Sequence, residues 1–370
     1  MLYKKLLGTP LILGSFILTV ASCKKDDAPA TPPVYTVPDT YTFENVDYAE
    51  ATGSVSMWAG FTSWLGKGTG RQLSADSVNF LWNNTGNAYT AEIATNLPLS
   101  VTAINALGFG LSAKTTDAAV FKQLADSMVQ ISASFNVQAA NGTAGKVGTR
   151  LVNHQGVEFN QLVAKGLMGA LQIAKINALL DQSRKDDNNT VKAGTGTAMQ
   201  HSWDLAFGYV GIPKDYDSAK TYANTEVNRP LAIGGYFRER GRAIQAGGTI
   251  FSAFRKGRAA INAKDYAGRD QAIATIKETL EKTLAAAAYA YATLPQGSSD
   301  LAVKFHAYSE CYGFVLALKY RPATSKLTAA NYQTLLDIMQ TNFYVLAADA
   351  TNAKLKQMQT ILTNTYGQLQ

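Results

Sequence analysis

The chain has 370 residues, of which 46% are hydrophobic and 16% are charged. This apolar content is enough for a large core and excludes a wholly disordered chain. Charged residues usually make up about a quarter of a soluble domain, so this surface depends on uncharged polar side chains, as is common in exported proteins. The formal net charge of +7 is modest for this length and argues against a nucleic-acid-binding protein, which would concentrate more charge in one stripe or tail.

The first 22 residues have the pattern of a secretory signal. Lys4 and Lys5 precede an apolar run at residues 6–21, which is too short to span a bilayer comfortably. The small residues directly before Cys23 resemble the lipobox of bacterial lipoproteins, in which this cysteine is acylated and becomes the first residue of the mature chain. We therefore predict a signal peptide at residues 1–22 and lipidation of Cys23, which would anchor the protein without a transmembrane helix. The alternative is an ordinary signal peptide with an incidental cysteine.

Residues 23–45 are predicted to form a tether between the membrane and the folded body. The sequence KKDD follows Cys23 and resembles the signal that sends lipoproteins of some Gram-negative bacteria to the outer cell face; the alternative is a solvated charge cluster. Four of the ten prolines lie between residues 28 and 40, which favours an extended, semi-rigid spacer. We therefore expect a protein anchored in the outer membrane and facing the cell exterior, with the periplasmic leaflet as the alternative location.

From residue 46 onward the apolar residues recur at helical spacings. Val120, Phe121, Leu124 and Met128, for example, lie mostly three and four residues apart, whereas few segments alternate with period two. The sequence therefore predicts an all-α protein without a substantial β-sheet. Helices in the second half are predicted near residues 198–209, 231–246, 249–263, 266–293, 300–320, 329–346 and 351–366.

The domain organisation is predicted from the length and from one internal break. At roughly 150 residues per domain, the length indicates about two domains. The strongest break after the tether is the polar stretch RKDDNNTVKAGTGT at residues 184–197. We therefore predict an N-terminal helical bundle at residues 46–190 and a C-terminal helical bundle at residues 191–370.

All three histidines precede an acidic residue by about one helical turn. The pairs are His154 with Glu158, His201 with Asp204, and His306 with Glu310. On a helix these spacings place the imidazole and the carboxylate on one face, which suits a pair of metal ligands or a histidine oriented by its acid. The alternative for each pair is a local hydrogen bond or a surface contact.

The segment HSWDLAFGY at residues 201–209 places aromatic, acidic and imidazole side chains at one helix end. Trp203 and Tyr209 are therefore candidate ligand-binding residues beside His201 and Asp204. The alternative is that these aromatic side chains plug the space between helices.

A cationic cluster lies in 21 residues in which Glu239 is the one opposing acid. Its members are Arg238, Arg240, Arg242, Arg255, Lys256 and Arg258. If the helices that carry them form a hairpin, the charges converge on an anionic ligand or a lipopolysaccharide surface, and we name Arg255 and Arg258 as the candidate ligand contacts. The alternative is a solvated face, or cations that pair with acids elsewhere.

Several catalytic motifs do not occur in the sequence. It contains no His-Glu-x-x-His, no Cys-x-x-Cys, no Gly-x-Ser-x-Gly and no EF-hand loop, which favours a protein that is not an enzyme. Once Cys23 is lipidated, Cys311 stands alone in an apolar helix, so we expect a buried thiol and no disulfide.

Four segments together resemble a family of bacterial lipoproteins, domain of unknown function 4856, which is similar in style to imelysin-like proteins. The segments are KGLMGA at residues 165–170, HSWDLAFGY at 201–209, FRKGRAAI at 254–261, and HAYSE at 306–310 running into GFVLALKY at 313–320. The imelysin-like hallmark is Gly-x-His-x-x-Glu, and here residues 199–204 read MQHSWD, so the glycine is missing and the glutamate is replaced by Asp204. The resemblance implies that His201 and Asp204 are site residues. The two differences from the imelysin-like hallmark weaken any inference of peptidase activity or metal chemistry.

Imelysin-like proteins are built of two helical bundles and are associated with iron acquisition. The resemblance therefore implies a surface lipoprotein that binds a ligand, with uptake of iron or another divalent metal as its setting and envelope uptake proteins as partners. We expect His201, Asp204, His306 and Glu310 to form the metal site. The alternatives are an imelysin-type metallopeptidase and a non-catalytic adhesion or structural protein, which the 18 tyrosines in a weakly charged chain suggest. A nucleic-acid partner is not expected outside the cytoplasm.

Overall fold

Helices dominate the computed structural model, which describes Val34–Gln370. The predicted signal peptide and residues 23–33 of the predicted tether, including Cys23, lie outside the described residues. The predicted end of the tether at residue 45 is too late, because Tyr35–Gln370 form one compact unit and Tyr41 is buried. The helices before residue 190 are α1 (Ala49–Gly66), α2 (Ala75–Asn83), α3 (Val101–Asn105), α4 (Leu111–Lys114), α5 (Ala118–Ser132), α6 (Phe159–Leu167) and α7 (Ala174–Gln182). Those after it are α8 (Ala198–Val210), α9 (Ile233–Glu239), α10 (Ala246–Asn262), α11 (Tyr266–Thr293), α12 (Leu301–Ala317), α13 (Ala329–Met339), α14 (Phe343–Ala348) and α15 (Ala353–Tyr366). The prediction of an all-α fold is confirmed.

A short antiparallel hairpin interrupts the helices of the first half. It consists of β1 (Gly145–Val147) and β2 (Arg150–Val152), with Lys146 opposite Leu151. Gly148 in its turn has a φ of 58°, a left-handed backbone conformation that glycine adopts without steric strain. The hairpin is a small addition to an otherwise helical chain.

The centre of the fold is a helical segment of 24 residues, Phe159–Gln182. It joins α6 to α7 through a π-helical stretch, Met168–Ile173, whose six residues are all buried. By length and composition this segment could cross a membrane, but 67% of its most apolar window is buried inside the protein, as in the core helix of a globular domain. Gly169 allows close packing on α12, because a Cβ at this position would overlap the backbone of Ala317.

The longest helix, α11, packs between α10 and α12. It begins at Tyr266 because the side chain of Asp265 accepts a hydrogen bond from the backbone N–H of Gly268 at 3.0 Å and so caps the first turn. Its alanine run at residues 285–288 is buried, and these small side chains have high helix propensity and allow neighbouring helices to approach closely. The first turns of α11 also form one wall of the candidate site described below.

The predicted boundary at residues 190 and 191 does not divide the described chain into two bundles. Helix α12 packs on α6, α8 packs on α1 and α7, and Tyr35–Gln370 form one compact unit. The polar stretch between α7 and α8 is a loop held on the body: Nδ2 of Asn188 donates to the carbonyl of Ile261 at 2.8 Å, and the hydroxyl of Thr197 donates to Oδ1 of Asn188 at 2.9 Å. A composition rich in Gly and Asn marks a loop, but it does not distinguish a linker from a loop fixed by long-range hydrogen bonds.

Candidate functional site

A cleft of about 950 Å³ opens at the N-terminal end of α10. Residues of α9, α10 and α11 form three of its sides. The remaining side consists of the loop at Ser218 and the N-terminal segment that contains Tyr35 and Val37. We call it the cationic cleft, because Arg238, Arg242 and Lys256 line it and no aspartate or glutamate is among its described lining residues.

The three cations of the cleft are exposed and have no carboxylate partner. Among residues 34–370, no ion pair involves Arg238, Arg242 or Lys256, and no side-chain hydrogen bond engages them. An unpaired guanidinium offers up to five N–H donors in a planar fork that matches a carboxylate or a phosphate. The cleft therefore presents three cationic groups to solvent with no internal counter-ion.

The N-terminus of α10 adds backbone donors to the same cleft. Its first turn includes Gly247 and Gly248, both of which line the cleft, and the N-cap residue Gln245 provides no side-chain cap. The N–H groups of a first helical turn point outward and carry partial positive charge, so they favour a negative ligand. Gly247 is required by packing, because a Cβ there would overlap the hydroxyl of Tyr216.

A second cleft, of about 420 Å³, adjoins the first. Tyr216, Arg238 and Arg242 line both clefts, so the two arginines stand on the ridge between them. The ring of Tyr216 is parallel to that of Tyr222 at a centroid distance of 6.0 Å and meets Phe251 edge to face, which fixes the wall of the cleft.

The predicted cationic cluster is divided by the fold. Arg258, named as a ligand contact, is fully buried, and Arg255 lies across the ring of Phe251 and donates to the carbonyl of Pro38. Arg240 pairs with Glu239 and lies over the ring of Tyr291. Of the six, only Arg238, Arg242 and Lys256 line the cationic cleft, and the sequence pattern contains no signal that separates them from the other three.

Asp204 lies in the interior, where Oδ1 of its carboxylate is held by protein groups and Oδ2 has no hydrogen-bond partner among the described residues. Oδ1 accepts hydrogen bonds from Nε of Arg258 at 2.9 Å and from the hydroxyl of Tyr41 at 2.6 Å, and neither Asp204 nor Arg258 is exposed to solvent. Burial raises the pKa of Asp204 to about 6 although Arg258 and Tyr41 act in the opposite direction. A guanidinium therefore takes the position beside this carboxylate where the sequence prediction places a metal ion.

Trp203 and Tyr209 are part of the core. The indole N–H of Trp203 donates to the carbonyl of Phe254 at 3.0 Å, and the hydroxyl of Tyr209 lies 3.2 Å from that of Ser54. Both side chains are buried, and burial raises the pKa of Tyr209. The structure thus places them as the aromatic plug between helices and not on a surface that a ligand reaches.

His306 is part of a different polar cluster. Its Nδ1 lies 2.8 Å from Oε2 of Glu158, and its Nε2 lies 3.7 Å from Oε2 of Glu310. Lys165 takes the other oxygen of Glu310 at 3.0 Å, and its charge, with that of His306, lowers the pKa of Glu310 against the effect of burial. The spacing of the histidines pairs Glu158 with His154 and not with His306, and it does not predict Lys165. Both residues come to this cluster from α6 and its N-cap.

The four predicted metal ligands therefore occur as two separate pairs. His201 and Asp204 lie on α8 beside Arg258, and His306 and Glu310 lie on α12 beside Lys165. Within Val34–Gln370, no group of three His, Cys, Asp or Glu side chains has an arrangement that would hold a metal ion. Each pair has a cationic neighbour, which opposes the binding of a second cation at short range.

The fold and the site define an all-helical protein with a cationic surface cleft and a buried Asp204–Arg258 ion pair. A protein-family model, domain of unknown function DUF4856, matches residues 38–368. The chain therefore belongs to this family. Comparison with curated proteins and with solved structures found no significant match.

Proposed function

We propose that this chain is a lipid-anchored cell-envelope protein that binds an anionic ligand in the cationic cleft. The observation that carries the proposal is that Arg238, Arg242 and Lys256 line a space of about 950 Å³ that no described acidic side chain enters. Like charges without a counter-ion repel one another, and a ligand that carries negative charge relieves this repulsion. Hydroxyl groups of Ser218 and Ser252 on the same walls offer hydrogen bonds to the uncharged part of such a ligand.

The envelope location rests on the N-terminal sequence. A charged start, a short apolar run and small residues before Cys23 support cleavage and acylation at that cysteine. Changing Cys23→Ser tests this directly: we expect the wild-type protein to incorporate a labelled fatty acid and to stay with the membranes through a high-salt wash that screens electrostatic contacts, and the variant to do neither. A variant that is still labelled and still membrane-bound would contradict lipidation of Cys23.

The charge of the cleft also restricts how metal uptake would operate. A bare iron or divalent metal ion would be repelled by the three cations, whereas a metal held in an anionic chelate would be attracted. If the protein serves metal acquisition, with envelope uptake proteins as its partners, the cargo that fits this cleft is a metal held in an anionic chelate.

Calorimetry with soluble anions tests ligand binding at the cleft. We expect the protein to bind pyrophosphate or citrate at low salt, and to bind them more weakly as salt is raised, because the Debye length falls from about 10 Å at 0.1 M to about 3 Å at 1 M. The variant Arg238→Gln, Arg242→Gln, Lys256→Gln should lose at least about tenfold in affinity, which corresponds to about 1.4 kcal/mol.

A matched control removes three exposed cations outside the cleft. Lys185, Lys326 and Lys356 are exposed and make no ion pair within the described chain. Changing all three to glutamine lowers the net charge by the same amount and should leave the affinity within about twofold, a difference of about 0.4 kcal/mol. Equal losses in both triple variants would show that net charge, and not the cleft, governs binding.

A further inference from the structure

The described chain begins at the rim of the cationic cleft. Tyr35 and Val37 line the cleft, and the hydroxyl of Tyr35 donates to Oδ2 of Asp265 at 2.9 Å. Arg255 donates to the carbonyl of Pro38, so the backbone is held on α10 as well as at the start of α11. The point at which the tether joins the body is thus fixed at one edge of the cleft.

The covalent length of the chain limits how far this edge can lie from a lipid anchor. Tyr35 is the twelfth residue after Cys23, and a chain spans at most about 3.6 Å per residue step, or about 43 Å in any conformation. A compact unit of the length of Tyr35–Gln370 has a radius of gyration of about 20 Å, and therefore a diameter of roughly 50 Å. The tether is shorter than the body is wide, so the edge that carries it stays near the membrane surface.

The charge of the cleft complements what that surface presents. Phosphate-bearing headgroups give envelope membranes a negative surface, which attracts lysine and arginine side chains within about a Debye length. The site is a recess and not a flat patch, so a headgroup can enter it. Arg238 and Arg242 supply guanidinium donors for phosphate oxygens, and the first turn of α10 supplies backbone N–H groups beside them.

We infer that the cationic cleft binds the phosphorylated headgroup of an anionic lipid, one whose phosphate has no positive group beside it, in the membrane that holds the anchor. This inference rests on the proposed function, since it takes Cys23 as the lipidated residue and the cleft as the anion site. A free phosphorylated molecule shares the same chemistry, and the position of the tether at the rim of the cleft is what favours the lipid. The body would then lie against the membrane with the cleft facing the headgroups, and the ligand would be bound without leaving the bilayer.

Vesicle sedimentation tests the inference with the mature chain from residue 23, carrying Cys23→Ser so that no acyl chain contributes. The two vesicle preparations are phosphatidylcholine alone and phosphatidylcholine mixed with phosphatidylglycerol. We expect binding to the mixed vesicles only. The Arg238→Gln, Arg242→Gln, Lys256→Gln variant should bind them at least about tenfold more weakly, and the Lys185→Gln, Lys326→Gln, Lys356→Gln control should change by less than about twofold.

The soluble anions separate this inference from the proposed function. Glycerol 3-phosphate carries the headgroup phosphate without a bilayer, and in the same assay it should compete with the vesicles. Absence of vesicle binding, together with retained calorimetric binding of pyrophosphate, would overturn the lipid ligand and leave the anion site intact. Absence of both would overturn the two proposals together. Equal loss in the two triple variants would also reject the lipid site, and matching thermal melting curves confirm that each variant is folded.

Discussion

Nε of Arg258 donates a hydrogen bond to Oδ1 of Asp204 at 2.9 Å in the interior of the protein, where neither side chain is exposed to solvent. The remaining guanidinium nitrogens are also used: Nη1 donates to the side chain of Asn262, and Nη2 donates to the carbonyl of Glu44 at 3.3 Å. The hydroxyl of Tyr41 shares the same carboxylate oxygen of Asp204. The pair therefore joins α8 and α10 to the segment that precedes α1.

Removing the cation from this pair should destabilise the protein strongly. In Arg258→Met the carboxylate of Asp204 remains buried without its partner, which typically costs about 3–5 kcal/mol. Urea unfolding at neutral pH measures the loss. The double variant Arg258→Met, Asp204→Asn removes the stranded charge as well and should recover part of the lost stability. A double variant no more stable than Arg258→Met would show that lost packing, and not the stranded charge, causes the effect.

The raised pKa of Asp204 should make stability depend on pH. Its value is about 6 in the folded protein against 3.8 for an exposed aspartate, so the folded state binds a proton more tightly than the unfolded state does. The contribution of Asp204 to the free energy of unfolding is therefore fully present below about pH 4 and is lost as the pH rises through 6. The free energy of unfolding falls by about 2–3 kcal/mol over this range. The free energy of unfolding of the wild type minus that of Asp204→Asn, measured from pH 4 to 8, should fall over this window. A flat difference would contradict the raised pKa.

Gly257 should be intolerant of even a small side chain. A Cβ at this position would overlap Cζ2 of Trp203, whose ring is fully buried and is held by its hydrogen bond to the carbonyl of Phe254. Gly257→Ala should therefore cost about 1–3 kcal/mol by overpacking, although alanine is normally the better helix former. Gly66→Ala is the control, because nothing lies within 4 Å of a Cβ there. Thermal unfolding should show a loss for the first variant only.

Helix positions are predictable here because helical periodicity is a local property. The predicted helix at residues 266–293 coincides with α11, Tyr266–Thr293. At residues 329–346, by contrast, the sequence predicts one helix and the structure has two, α13 and α14. The side chain of Asn342 accepts a hydrogen bond from the backbone N–H of Tyr344 and starts the second helix. The sequence hides this cap because the apolar residues Met339, Phe343 and Leu346 keep a helical spacing across it.

The site is less predictable because its contacts join distant parts of the chain. Local spacing identifies His306 and Glu310 on one face of α12, but Glu158, which lies closer to the imidazole, is 148 residues away. Likewise Arg258 belongs to a visible cationic run, and its partner Asp204 is 54 residues away. Charge density along the sequence locates the arginines, whereas tertiary packing decides which of them lose their contact with solvent.

An acid introduced into the cationic cleft should have opposite effects on stability and on ligand binding. Gly248 is the third residue of α10, it is exposed, and a Cβ there would make only an ordinary contact, 3.4 Å from Oγ of Ser218. A carboxylate in the first turn of a helix is stabilising by about 0.3–1 kcal/mol, so Gly248→Asp should raise the melting temperature.

Gly248 lines the same cleft as Arg238, Arg242 and Lys256, so a carboxylate at this position would act as their internal counter-ion. Gly248→Asp should therefore weaken pyrophosphate binding by at least about tenfold, whereas the isosteric Gly248→Asn should retain most of it. Calorimetry and thermal unfolding on the three proteins measure both effects. If the aspartate and asparagine variants bind pyrophosphate equally well, the first turn of α10 does not border the bound anion. If both lose binding, the volume of the side chain and not its charge is responsible.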